Sequence, residues 1–161
     1  MNIFYLDYNI EECAKAHVDK HVVKMITEHA QLLSTAVRLS GIDAGYKVTH
    51  QNHPCAIWAR ESLDNWRWLK DLTEALNNEY MYRYERFNNH KAFDTVLSLP
   101  EPNIPSTGIT PFRLAMPDDV RTDDPVQAYR NYYNKYKTHI AVWTNREVPY
   151  WFGYSLGAVE V

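Results

Sequence analysis

Glycine is scarce, five residues in 161, and none falls in a G-x-x-x-x-G-K or G-x-G-x-x-G arrangement. Loops that cradle phosphate in the common nucleotide enzymes need those glycines, so that machinery is excluded. Cysteine is scarcer still. Cys13 and Cys55 have no C-x-x-C spacing and read as two reduced core thiols, which points to a cytoplasmic setting. Zinc deaminase chemistry lacks support as well, because Pro54-Cys55 stands without an H-x-E or a second thiol. There is no G-x-S-x-G nucleophile elbow. Long hydrophobic runs are missing: Ile3-Phe4-Tyr5-Leu6 is too short to span a bilayer and has no basic leader before it, so no membrane partner is expected. Positive charge is not in excess either. A net charge of −3 and a pI near 6.1 argue against a broad face for long duplex nucleic acid.

What the chain has in quantity is aromatic surface, 12 tyrosines and five tryptophans, gathered in blocks from Trp58 to Phe87 and from Tyr129 to Trp151. Tyr and Trp pair an apolar body with a polar tip, suiting helix packing, ring stacking and the interface of a homo-oligomer. A length of 161 residues fits one domain with a core large enough to fold without staples.

The local signals predict a mainly α, single compact domain of about four or five helices, with short extended ends. Ile3 to Leu6 reads as a strand or an extended arm. Asn9-Ile10-Glu11-Glu12 forms a capping box, and Asp19 offers a second cap, so residues 10–40 are one helix or a short one followed by a long one. Pro54 opens a second helical region, Ser62 re-caps it, and the spacing of Trp66, Leu69, Leu72, Leu76 and Tyr80 carries a helix to about Phe87. Residues 91–99 form a short helix. Residues 99–124 hold Pro100, Pro102, Pro105, Pro111 and Pro117 without a period, yet Ile104, Ile109, Phe112 and Leu114 are too apolar for a free linker, so a loop packed over the helices is expected. Asp124-Pro125-Val126-Gln127 starts the last helix. Residues 153–161 read as a loosely held tail.

The first long helix presents a polar stripe, Lys20, Lys24, Thr27, Gln31, Ser34 and Arg38, with His17, His21 and Glu28 alongside. Such a stripe is ordinarily a solvated face. Alternatively it lines an anion cavity, with phosphate beside the exposed amides of Lys20 and His21 should a helix start near Val18. His17 and His21 stand at i and i+4, as in zinc sites, but the zincin acid is absent. A third ligand would have to come from His50, His53 or Glu28, so no metal or cofactor is assigned. The same mixture of cations, amides and rings recurs in Trp58, Asn65 and Trp66 and again in Arg113, Tyr129, Arg130, Tyr133 and Arg146. Together with Lys20, His21, Lys24 and Gln31 these would neutralise phosphate, stack a base and read its edge. His17, His21 and Glu28 are the candidate acid–base residues of an alternative enzymatic reading, a nucleotide or DNA hydrolase or glycosylase. A host-protein-binding module using the aromatic last helix is a third.

Asp19-Lys20-His21-Val22-Val23-Lys24-Met25-Ile26, Ala30-Gln31-Leu32-Leu33-Ser34-Thr35-Ala36, His53-Pro54-Cys55, Met116-Pro117-Asp118 and Tyr129-Arg130-Asn131-Tyr132-Tyr133 together resemble a family of short proteins from tailed bacteriophages and some bacteria. The resemblance covers most of the chain and carries over no catalytic residue. It implies a phage setting in the host cytoplasm, where proteins of this size process nucleotides or DNA, or sequester the nucleotide signals of host immunity. The leading expectation is a binding protein for a small phosphorylated ligand, a nucleotide or cyclic nucleotide.

Overall fold

The computed structural model describes residues 2–153, so the tail expected over 153–161 lies almost wholly outside the described residues. Six α-helices are formed, α1 (Ile10–Ala16), α2 (Asp19–Leu39), α3 (Pro54–Glu61), α4 (Leu63–Arg83), α5 (Lys91–Ser98) and α6 (Pro125–Tyr136), with 3₁₀ turns at Asp118–Val120 and Thr138–Ile140. There is no strand among the described residues, and the domain is mainly α. The α2 helix is the spine. Its apolar stripe, Val22, Met25, Ile26, Ala30, Leu33 and Val37, is buried, and α3, α4 and α5 pack on it.

The helix count exceeds the four or five expected because two continuous-looking segments are broken. Residues 10–40 divide at His17 and Val18, both extended, and residues 54–83 divide at Ser62, whose Oγ accepts the Asn65 N–H. Asn9 caps α1 by accepting the Glu12 N–H, and Asp124 caps α6 by accepting that of Val126. Asp19, expected as a cap, is instead the first residue of α2. Its carboxylate takes the N–H and Oγ1–H of Thr144 and one N–H of Arg83. The Asp19 N–H donates to Val142 O, so the α2 start is covered by the chain's own C-terminal segment and not left open to phosphate.

Ile3–Leu6 runs extended through the interior, every residue at most 4 % exposed. Burying four such side chains contributes about 1.5–3 kcal/mol each, which explains how a segment without a ladder is held. Tyr5 lies flat on Phe112, ring centroids 3.9 Å apart, and this contact brings the Pro-rich loop onto the core. Asn65 fastens that loop: its Nδ2 donates to Trp58 O and Thr110 Oγ1, and its Oδ1 accepts the Thr110 N–H. The packed loop is therefore part of the fold.

One buried arginine organises the α1–α2 junction. Arg83, at the end of α4, donates Nε to Glu79, Nη1 to His17 O and Asp19, and Nη2 to Lys15 O. It closes the end of α1 and the start of α2 with one planar fork.

Candidate functional site

The exposed side of α2 carries Lys20 and Lys24, one turn apart and both in solvent. From the other direction, the end of α6 brings Lys137, whose Nζ sits 5.1 Å over the Tyr132 ring, and the following turn brings His139. Burial and then the charge of Lys24 lower the pKa of Lys137. Lys24 and Lys137 thus belong to one positively charged region of the surface. Among the described residues neither Lys20 nor Lys137 has a carboxylate within ion-pair distance, and Lys24 has Glu28 at 3.7 Å.

Beneath these cations lies an aromatic floor. His21 stacks on Phe4 at 4.3 Å with 22° between the planes, and Tyr132 lies 6.0 Å from Phe4 with 23° between the planes. The His21 Nδ1 is 2.7 Å from the Tyr133 hydroxyl, which also accepts the Val18 N–H. Tyr133 therefore donates to Nδ1, and the imidazole proton sits on Nε2. Burial first, then the charges of His17, Lys137, Lys24 and His139, push the His21 pKa down to about 3. His21 is a neutral part of this floor near pH 7.

Farther along α2 the same face presents Glu28, with a side chain 12 % exposed, and half-buried Gln31. His53 is the N-cap of α3, and its Nδ1 accepts the Cys55 N–H at 3.1 Å. The structure thus gathers Lys20, His21, Lys24, Glu28 and Gln31 from the sequence reading on one side of α2. It adds Phe4, Tyr132, Lys137 and His139.

The remaining candidates serve elsewhere. Arg113 pairs with Glu61, Arg130 with Asp7 and Leu6 O, and Arg146 in two-pronged fashion with Glu79, at three different places in the fold. Each guanidinium already has its anion. Trp58 donates to Thr110 O and Trp66 to Leu33 O, Asn65 clamps the loop, and the Tyr129 hydroxyl bonds Asn2, Arg113 O and Ala115 N. These four are interior, as is Tyr133, while Tyr132 is half-buried and Tyr136 exposed, so only part of the aromatic stripe of α6 turns to the core. His17 is fully buried at the end of α1 and donates Nδ1–H to Cys13 O. The helix break at Val18 removes the shared helix face on which the i, i+4 zinc spacing with His21 depended. Among the described residues no three His, Cys, Asp or Glu side chains gather as a metal site.

A cleft of about 490 Å³ opens between α1 and the C-terminal segment, lined by Asp7, Glu12, Lys15, Arg146, Tyr150 and Trp151. Its lining sets the carboxylates of Asp7, Glu12 and Glu147 against Lys15 and Arg146, and both cations are already paired, Lys15 with Glu12 and Arg146 with Glu79. Matched charge gives an anion no advantage there, whereas the α2–α6 face holds cations in excess of carboxylates.

The signal for this face was divided in the sequence. Lys137 and His139 follow the last helix more than 100 residues after Lys24, and no local period ties them to it. Comparison with protein families, curated proteins and solved structures yields no match to the chain. No helix among the described residues is long and apolar enough to cross a membrane.

Proposed function

We propose that the protein binds a small phosphorylated ligand, a nucleotide or cyclic nucleotide, on the face formed by α2 and the end of α6. Lys24 and Lys137, with Lys20 and His139 at the rim, take the phosphate, and Tyr132 offers its ring to the base. The observation that carries this reading is the seat of Lys137 over the Tyr132 ring, 5.1 Å from its centroid, where Tyr132 lies beside Phe4 and Phe4 stacks on His21 of α2, the helix that exposes Lys20 and Lys24. Like charges gathered in one region cost free energy, and a bound anion turns that cost into attraction. In the phage setting that the motifs suggest, such a protein would sequester a host nucleotide signal.

Isothermal titration calorimetry against a panel of nucleoside phosphates and cyclic nucleotides tests the reading. Lys24→Ala and Lys137→Ala each remove a charge-assisted contact of about 1.5–3 kcal/mol, so affinity falls roughly 10- to 100-fold and depends on salt. Arg113→Ala, remote from the face, leaves affinity unchanged. Absence of binding to every member at micromolar protein refutes the proposal.

A further inference from the structure

The connection from α4 to α5 exposes a phenylalanine and holds it in place. Phe87 is 98 % exposed, more than any other large apolar side chain among the described residues, and Tyr82 and Tyr84 emerge from the same end of α4. The loop that carries it is anchored at both ends. At its start the Arg86 N–H donates to Met81 O at 2.9 Å and Glu85 takes a φ of 51°, a Schellman ending with a carboxylate side chain where glycine is the usual residue. At its end Asn77 reaches across from α4. Its Nδ2 donates to Asn89 Oδ1, its Oδ1 accepts the His90 N–H, and Asn89 Nδ2 donates to Asp94. Phe87 forms one wall of a recess of about 410 Å³, lined also by Tyr80, Glu85, Arg86, Asn88 and Asn89. Tyr80 gives the recess a second, half-buried ring, 5.2 Å from that of His90 and 5.9 Å from that of Tyr84.

We propose that this loop is the contact of a two-fold homodimer, in which Phe87 of each copy enters the recess of the other against Tyr80. Knob and recess sit on one loop, so a single patch satisfies itself across a two-fold axis, as an isologous interface requires. The charges have the same property. Glu85 and Arg86 are consecutive and exposed, and among the described residues neither side chain has an ion-pair or hydrogen-bond partner. A two-fold axis reverses the order in the second copy, so Glu85 of each copy meets Arg86 of the other. Adjacent charges of opposite sign suit a second copy better than a partner of one sign. An aromatic anchor ordered before contact also loses little freedom on binding. The loop presents little area, which places the dimer among weak associations, with a Kd on the order of 10–100 µM. None of the lysines of the α2–α6 face takes part.

Sedimentation velocity of the full chain, loaded from about 1 µM to about 1 mM, tests this. A reversible monomer–dimer equilibrium is expected, and Phe87→Ser weakens it at least about 100-fold because each dimer loses two anchors. Glu85→Arg alone and Arg86→Glu alone each set like charges across the axis and weaken the homodimer roughly tenfold. Mixed in equal amounts, these two variants set a pair of cations against a pair of carboxylates, and native mass spectrometry then shows the heterodimer in excess of both homodimers. A purely structural role for either residue would not produce that preference. Circular dichroism checks that each variant folds, and should Phe87→Ser fail, the charge-reversed pair decides. A chain that stays monomeric at the highest concentration overturns the inference and gives the loop to a different protein. A dimer that survives Phe87→Ser, or that shows no preference for the mixed pair, overturns it too. Lys24→Ala leaves the dimer intact, so the nucleotide reading and the dimer stand or fall separately.

Discussion

Replacing Arg83 by Met should cost this protein more stability than any other single charge deletion, and the structure sets the scale. The side chain has 0 % exposure, and its fork satisfies two carbonyls, Lys15 O at 2.9 Å and His17 O at 2.7 Å, together with Glu79 and Asp19. Methionine fills much of the volume but returns none of these bonds. Glu79, 6 % exposed, keeps Arg146, and Asp19, 13 % exposed, keeps Thr144. The two carbonyls are left without the fork. Breaking a buried charged network from one side costs about 3–5 kcal/mol. For a domain of this length that lowers Tm by roughly 6–20 °C. Differential scanning calorimetry of Arg83→Met beside Lys15→Ala makes the comparison internal, since Lys15 pairs with Glu12, 60 % exposed, and a surface pair is worth about 1 kcal/mol or less. A loss below about 1 kcal/mol for Arg83→Met refutes the view that one guanidinium holds the α1–α2 break to α4. Arg83→Lys keeps the charge but not the fork, and falls between wild type and Met.

Asn65→Ala removes two hydrogen bonds to Thr110 of the Pro-rich loop and one to Trp58 O of α3, and a loss of about 2–4 kcal/mol with new proteolytic cleavage within residues 104–112 is expected. Full resistance of that segment would contradict the packed-loop assignment. Acid should weaken the fold: burial lowers the pKa of His17 to about 4 and of His21 and His29 to about 3, so the folded state excludes protons that the unfolded chain accepts below about 6.5. Their contribution is complete above that value and is lost as pH falls through the window from 6.5 toward 3, on the order of 2 kcal/mol per histidine by pH 5. Urea midpoints at pH 7 and 5 measure this, and equal midpoints would refute it. Burial pushes the thiols of Cys13 and Cys55 up to about 12 and about 11, so neither should react with a thiol reagent in native protein at pH 8, while both react in denaturant.

Much of the fold was legible locally. Helical periodicity and the caps at Asn9, Ser62 and Asp124 depend on residues within one turn, and all three accept a first-turn N–H, although Gln127, read as completing a capping box, donates to Asn131 instead. The break at Val18 was only half legible, because the apolar spacing continues through it and the groups that hold it, Arg83 and Val142, are remote in sequence. For the site, the polar face of α2 was readable as a pattern. Whether each cation on the chain was spent or available was not.

The amino-acid order alone determined where helices start, which stripe of each is apolar, and that one core would form, since these follow from side-chain spacing and short-range hydrogen bonding. Tertiary structure alone decided the charges: Arg113, Arg146 and Arg130 meet carboxylates 52, 67 and 123 residues away, and Lys137 is seated over the Tyr132 ring. Coulomb energy depends on distance through space and on burial, and neither is a property of neighbours along the chain.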